Sequence, residues 1–151
     1  MADFFQFEAL NPRGHFIRHR NFLGDVTQKD RIADDFSFSL VRRGNQGLVS
    51  LRAKNYPKLF LRHRDFRIHL EGPAGTNDQL FARDSSFFME RGMADENGVT
   101  FRSFNYRDHV IAHRDFQLFI VPETPEIGQQ ATFLRTRAPV IIDEGTELNP
   151  V

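Results

Sequence analysis

Three stretches decide how this chain folds: FEALNPRGHFIRHRNF (residues 7–22), LRAKNYPKLFLRHRDF (51–66) and FRSFNYRDHVIAHRDF (101–116). Each places an Asn eight positions before a His-Arg-(Asn or Asp)-Phe run. The anchors are Asn11, Asn55 and Asn105, then His19, His63 and His113, then Phe22, Phe66 and Phe116. The histidines recur at intervals of 44 and 50 residues (63 − 19 and 113 − 63). So many identities kept in one register three times mark an internal repeat.

Within each unit apolar and polar residues alternate with a period of two, the signature of a half-buried strand. Phe66-Arg67-Ile68-His69-Leu70-Glu71 alternates strictly, and a fourth strand per unit opens at Phe38, Phe87 and Phe133. The pattern predicts strands at about 4–10, 15–19, 22–26 and 36–41, then 48–54, 59–63, 66–71 and 86–91, then 99–104, 109–113, 116–121 and 132–137. Turn-rich segments such as Gly72 to Asp78, Asp95 to Gly98 and Pro122 to Gln130 separate them. No window of helical length carries a 3.6-residue apolar stripe, so the chain reads as all-β.

Three four-stranded units in 151 residues predict a β-trefoil, a six-stranded barrel capped by three hairpins about a pseudo-threefold axis. The expected division is one domain over 1–151, with repeats at about 4–47, 48–98 and 99–137 and a tail at 138–151. A unit that cannot bury its own apolar face gains a core only by meeting its copies. Six equivalent phenylalanines (22, 66, 116, 38, 87 and 133) are expected to fill that core, at roughly 1.5–3 kcal/mol each when fully buried. The tail, including Pro139-Val140-Ile141-Ile142, has no counterpart in the other units and is expected to close the barrel or dock on a neighbour.

Composition narrows the function. Lys plus Arg and Asp plus Glu are 20 each, and the arginines are interleaved with acids, which sets nucleic acid aside as a partner. No run approaches the eighteen apolar residues of a membrane span, and no membrane partner is expected. The opening MADFFQFEAL lacks the basic start of a signal peptide. Localisation is therefore open: extracellular for a processed module of a secreted enzyme, cytoplasmic for a full native chain. With no Cys, neither a disulfide scaffold nor thiolate-held zinc is available. His15/His19 and His109/His113 are spaced four apart, but on a strand that spreads them roughly 13 Å, so no metal and no cofactor are expected.

Repeated polar residues call for a reason beyond the core. His19, His63 and His113 each end one strand of a tight hairpin. They either orient that hairpin or line one ligand pocket per unit. Before the fourth-strand Phe stand Asp35 and Asp84, with Gln130 in the third unit. A His and a carboxylate on neighbouring strands can grip adjacent hydroxyls of a sugar through charge-assisted hydrogen bonds. Two Tyr and no Trp suit small polar pockets rather than flat platforms, and most of the 17 Phe are assigned to the core.

The segments LVSLRAKNYP, NYPKLFLRHRDF and ARDSSFFMERGMADENGVTFRSFNYRDHVIAHRDF resemble the arabinofuranosidase B C-terminal (AbfB) domain, the family 42 carbohydrate-binding module, over about residues 4–137. The resemblance implies a β-trefoil that binds L-arabinofuranose side chains of arabinoxylan and arabinan, as an appendage of a family 54 arabinofuranosidase. Carried over by position, it implies pockets of His63 with Asp84, Asn55 and Tyr56, of His19 with Asp35 and Asn11, and of His113 opposite Gln130. Departures counted within each unit are Gln130, Ala112 and Arg107 in the third and Pro12 in the first, which ranks the pockets second, first, third. The partner implied is an arabinose-bearing glycan, and no catalytic residue is assigned. A glycosidase needs one unique carboxyl pair, whereas these acids recur with the repeat. The remaining alternative is a trefoil that binds a protein, with vestigial sugar pockets and the tail from Ala138 to Val151 as its contact surface.

Overall fold

A computed structural model describes residues 3–75, 77–137, 140–144 and 149–151. The first unit contributes β1 (Phe7–Ala9), β2 (His15–Arg20), β3 (Leu23–Gln28) and β4 (Phe38–Arg43). The second contributes β5 (Leu48–Ala53), β6 (Phe60–Arg64), β7 (Arg67–Glu71) and β8 (Phe87–Arg91). The third contributes β9 (Val99–Ser103), β10 (His109–Arg114), β11 (Gln117–Pro122) and β12 (Phe133–Arg135). All twelve expected strands are present, within a few residues of the expected bounds.

The barrel runs antiparallel through β4, β5, β8, β9, β12 and β1, and a bridge between Phe5 and Phe38 closes the ring. That bridge reaches only Phe38 of β4, so the rest of the β4 edge is left to the tail. The hairpins β2–β3, β6–β7 and β10–β11 cap one end, and their second strands pair in a triangle: Leu23 with His69, Arg67 with Phe119, Gln117 with Asp25. This is the β-trefoil. On its axis Gly24, Ile68 and Leu118 occupy equivalent places, and a Cβ on Gly24 would lie 2.7 Å from Ile68 Cγ2. Glycine there makes room for its two larger counterparts.

Phe38, Phe87 and Phe133 are fully buried, beside Phe7, Phe101, Leu40 and Leu51. The other expected core trio is not buried. Phe22, Phe66 and Phe116 are 50%, 47% and 50% exposed. The turn explains this. Asn21–Phe22, Asp65–Phe66 and Asp115–Phe116 all have φ between 52° and 65°, the paired left-handed conformation of a tight two-residue hairpin turn. A residue at that apex points away from the barrel. Bulky side chains rarely occupy this region, at a cost on the order of 1–2 kcal/mol. Here the conformation presents each Phe carbonyl to the adjacent hairpin: Phe22 O accepts from Leu70 N–H (2.8 Å), Phe66 O from Ile120 N–H (2.9 Å) and Phe116 O from Val26 N–H (2.9 Å).

Two further features lie outside the all-β reading. A six-residue helix, α1 (Gln79–Asp84), precedes β8, and 3₁₀ turns at Ala33–Phe36 and Pro125–Ile127 precede β4 and β12. They are too short to carry an amphipathic stripe. Asp78 caps α1, its carboxylate accepting from Phe81 N–H at 3.0 Å. In the tail, β13 (Ile141–Ile142) adds parallel to β4, and Arg52 holds Glu144 at 2.6 Å. The strand pairs with the edge of β4 beyond the Phe5–Phe38 bridge, on the side opposite β5, and so helps to close the barrel there. Residues 138–139 and 145–148 of the expected tail lie outside the described residues, among which no helix is long and apolar enough to cross a membrane.

Candidate sugar pockets

Each hairpin ends its first strand with an Arg or Ala, a His and an Arg. In the second unit His63 Nε2 lies 2.8 Å from Asn105 Oδ1, and Asn105 Nδ2 donates to Asp84 Oδ1 at 2.8 Å. Arg62 pairs directly with Asp84 Oδ2. The first unit repeats the chain: His19 Nε2 to Asn55 Oδ1 (2.8 Å), Asn55 Nδ2 to Asp35 Oδ1 (2.8 Å), Arg18 to Asp35 Oδ2 (2.9 Å). A carboxylate only accepts, so the Asn amide must face it and the Asn oxygen must face the ring. The His Nε2 therefore carries the proton, which leaves Nδ1 as an acceptor. Burial pushes the His63 pKa below the ordinary imidazole value, against the opposing pull of Asn105 and Asp84.

Behind each carboxylate the guanidinium rests on a buried ring, Arg18 4.6 Å from the centroid of Phe36 and Arg62 5.2 Å from that of Phe81. The short helical elements put those rings in place. Arg18 also reaches Asp30 at 2.6 Å, and Arg62 approaches Glu71 at 3.4 Å. The arginines emerge as positioning residues, visible in sequence only as identities that the third unit lacks.

The Asn and Tyr of each pocket come from the following unit, not from the unit that supplies His and Asp. Asn55 and Tyr56, expected beside His63, stand beside His19 and Asp35. Asn105 and Tyr106 serve His63 and Asp84, and Asn11 serves His113. The reason is topological: the turn after the first strand of one unit lies against the hairpin of the unit before it. Every departure noted in sequence except Arg107 then falls in one place, since Ala112, Gln130 and Pro12 all belong to the third pocket. The first pocket is complete.

The exposed hairpin phenylalanines form the rims. Phe22 meets Tyr56 edge-on at 5.4 Å, and Phe66 meets Tyr106 at 5.5 Å, with both tyrosines more than 40% exposed. Phe66 also stacks on His109, and Phe116 on His15. The expectation that Phe22, Phe66 and Phe116 belong to the core missed these rims; the signal available in sequence is their place at the hairpin apex. The first pocket is an open cavity of about 340 Å³ lined by Arg18, His19, Phe22, Asp30, Asp35 and Tyr56. That is at the small end of ligand pockets, which run from about 300 to 1,000 Å³. His19, His63 and Asp84 are buried at the back, each 6% exposed or less.

In the third pocket His113 Nε2 donates to the backbone carbonyl of Asn11 at 2.8 Å, while the Asn11 side chain donates to Gln129. Burial lowers the His113 pKa, only partly offset by the Asn11 bond. Among the described residues no three His, Asp or Glu side chains gather as a metal ion would require.

A closed trefoil with two matching polar pockets, each walled by aromatic residues, is the build of a lectin-like domain. The model of the alpha-L-arabinofuranosidase B (AbfB) domain matches residues 5–135. The chain belongs to that family. Among solved structures it is similar to a GH54 α-L-arabinofuranosidase soaked with 4-nitrophenyl α-L-arabinofuranoside, at TM-score 0.77 and 17% identity over 88% of this chain and 30% of that one. The chain thus spans less than a third of that enzyme. SeviL bound to asialo-GM1 saccharide is similar at TM-score 0.68 and 8% identity over 91% of this chain and 99% of that one. The designed threefold-symmetric ThreeFoil is similar at TM-score 0.69 and 8% identity over 91% of this chain and 100% of that one. These likenesses share the fold. No curated protein sequence matches the chain significantly.

Proposed function

We propose that the first and second pockets each bind one L-arabinofuranose side chain of an arabinoxylan or arabinan, and that the chain carries out no reaction on it. The observation that carries this reading is the duplicated His–Asn–Asp–Arg chain beneath an exposed Phe–Tyr pair. Each Asp is held from behind by Arg and Asn, yet a carboxylate offers about four lone-pair sites, so capacity remains for sugar hydroxyls. The rim rings supply an apolar face for the furanose. Cleavage would need a paired acid and base, one of them able to give up a proton. Here Asp30 and Asp35 both accept from Arg18, and Asp84 and Glu71 flank Arg62. Such carboxylates are built to accept.

Calorimetric titration with arabino-oligosaccharide is expected to give weak saturable binding, which His63→Ala and Asp84→Ala each reduce by removing one of two pockets. Absence of heat with every arabinose-bearing glycan would overturn the reading. A chromogenic arabinofuranoside is expected to remain uncleaved, and turnover would remove the non-catalytic part alone.

A further inference from the structure

In each of the first two units an exposed aliphatic side chain stands one helical turn from the pocket carboxylate. Ile32 is 51% exposed and Leu80 62%. Single exposed aliphatics are ordinary, but these two recur in one pattern: Asp30-Arg31-Ile32 ahead of Asp35, and Asp78-Gln79-Leu80 ahead of Asp84. Ile32 opens the 3₁₀ turn that carries Asp35, whose N–H donates to the Ile32 carbonyl at 3.1 Å. Leu80 lies in α1, four residues before Asp84. Three residues in a 3₁₀ turn and four in an α-helix both return to the same face, roughly 5–6 Å along the axis. The leading Asp holds each turn in place. Asp30 accepts from Ile32 N–H at 2.8 Å and, through its other oxygen, from Arg18 at 2.6 Å. Asp78 accepts from Phe81 N–H at 3.0 Å and from Ala74 N–H at 2.9 Å. The third unit is the contrast. Ile127 stands three residues before Gln130 and lines that cavity, but it is half-buried against Val110, Ala112, Val121 and Ala131, so packing accounts for it.

We infer that Ile32 and Leu80 each form a second subsite, at the pocket mouth, for the sugar to which the bound side chain is attached. The inference rests on the first two pockets taking an arabinofuranose and concerns what they read beyond it. The carboxylates lie at the back, the side chains of Asp35 and Asp84 being 13% and 8% exposed, so a branch sugar held there by its hydroxyls enters from the open side. Its glycosidic bond then leaves through the mouth, and the next ring passes the aliphatic side chain about one ring's width from the carboxylate. The C–H face of that ring can rest on a branched aliphatic without any hydrogen-bond partner. Ile32 lines the first cavity with Phe22 and Tyr56, which come from the hairpin apex and from the following unit. Three separate segments thus bring apolar surface to one mouth.

The test is methyl and imidazole NMR titration of the full chain with methyl α-L-arabinofuranoside, with xylotriose carrying a single α-L-arabinofuranosyl branch, and with unbranched xylotriose. The branched probe is expected to bind each of the two pockets about fivefold tighter than the methyl arabinoside, as burial of about 40 Å² of apolar surface would give. It should also shift the Ile32 and Leu80 methyls more than the methyl arabinoside does. Ile32→Ser should abolish that preference at the first pocket, read at His19, and leave the affinity for the methyl arabinoside close to that of the unsubstituted chain. Leu80→Ser should do the same at the second pocket, read at His63, and Ile32→Leu should keep the preference. Both positions are exposed, and unchanged spectra away from the mouths would show that the variants fold. If the methyl arabinoside binds but the branched probe binds no tighter, or the preference survives both serine substitutions, the subsite is refuted and the arabinose pockets stand. Equal weakening of both arabinosides would set the aliphatic against the arabinose itself and refute the subsite as well. So would unbranched xylotriose binding as tightly as the branched probe. If neither arabinoside reaches either pocket, the arabinose reading falls and takes the subsite with it.

Discussion

In the first two units a guanidinium lies between an aromatic ring and a carboxylate; in the third an alanine lies beneath an isoleucine. The three hairpins superpose the same backbone, the same buried imidazole and the same exposed Phe on two different interiors. The fold itself therefore asks only for the turn, the Phe carbonyl and the pairing triangle. The ion pair is an addition, made twice and replaced once. Sharing each pocket between neighbouring units lets one unit change its His side and the next its Asn side. In the third pocket both sides have changed together.

The largest expected effect tests whether the charged interior is as interdependent as the neutral one suggests. Arg62→Ala leaves Asp84, whose side chain is only 8% exposed, without its cation. Breaking a buried pair in this way costs about 3 kcal/mol or somewhat more. Arg62→Ala combined with Asp84→Gln copies the third unit and should recover at least half of that loss in urea unfolding. A double variant as unstable as the two single losses combined would show that the third interior depends on further substitutions.

Next in size is the effect on binding that separates shared pockets from self-contained ones. Asn105→Ala should disable the second pocket, the one holding His63, and Asn55→Ala the first, each lowering sugar affinity at that pocket at least about tenfold through loss of the bonds to both His and Asp. Shifts read at His19 and His63 by NMR would assign the losses. If Asn55→Ala silenced His63 instead, the pockets would be built within units.

That distinction also marks what was legible in the chain. Alternation and the threefold register together placed the twelve strands: β7 alternates cleanly because one face is buried, whereas β4 and β5, buried on both faces, are marked by the repeat. His63 and Asp84 lie 3.5 Å apart; their recurrence in the repeat suggests a His–carboxylate pocket and the family resemblance implies this pairing. The provider of Asn was not legible, because it depends on barrel closure rather than on any local pattern. Phe22 and Phe38 are the same residue type, and only the left-handed turn at Asn21–Phe22 turns one outward. Helix α1, at six residues, spans fewer than two turns, too few to show an apolar stripe. In sequence Arg18 and Arg62 are only repeated identities; the rings beneath them, Phe36 and Phe81, are put there by the short helical elements.

Phe66→Gly sets the turn against the rim. Glycine adopts the φ of 65° without strain, so folding stability should change by no more than about 1 kcal/mol despite the loss of a large side chain. The sugar affinity of the second pocket should nevertheless fall severalfold as its contact with Tyr106 disappears. A loss of several kcal/mol in denaturant would mean that the ring supports the fold.

The smallest effect expected is pH dependence. Burial lowers the folded pKa of both His63 and His113 from the ordinary value near 6.5. The unfolded chain then binds more protons than the folded one between the depressed value and 6.5, so stability rises with pH in that window. Both contributions are fully present above about 6.5 and are lost as pH falls through the folded values. The denaturation midpoint should therefore drop as the solution is acidified from neutral toward pH 5, before most carboxylates titrate. The two sites differ in what meets an added proton. His63 has Asp84 nearby, whereas His113 faces the neutral Asn11 carbonyl and feels the repulsion of His15. Replacing Asp84 by Asn should push the His63 titration to lower pH and leave that of His113 unchanged, as read from imidazole proton shifts. A His63 titration that did not move would mean that desolvation and the Asn105 bond set it, and that the carboxylate and the imidazole, though adjacent, are electrically independent.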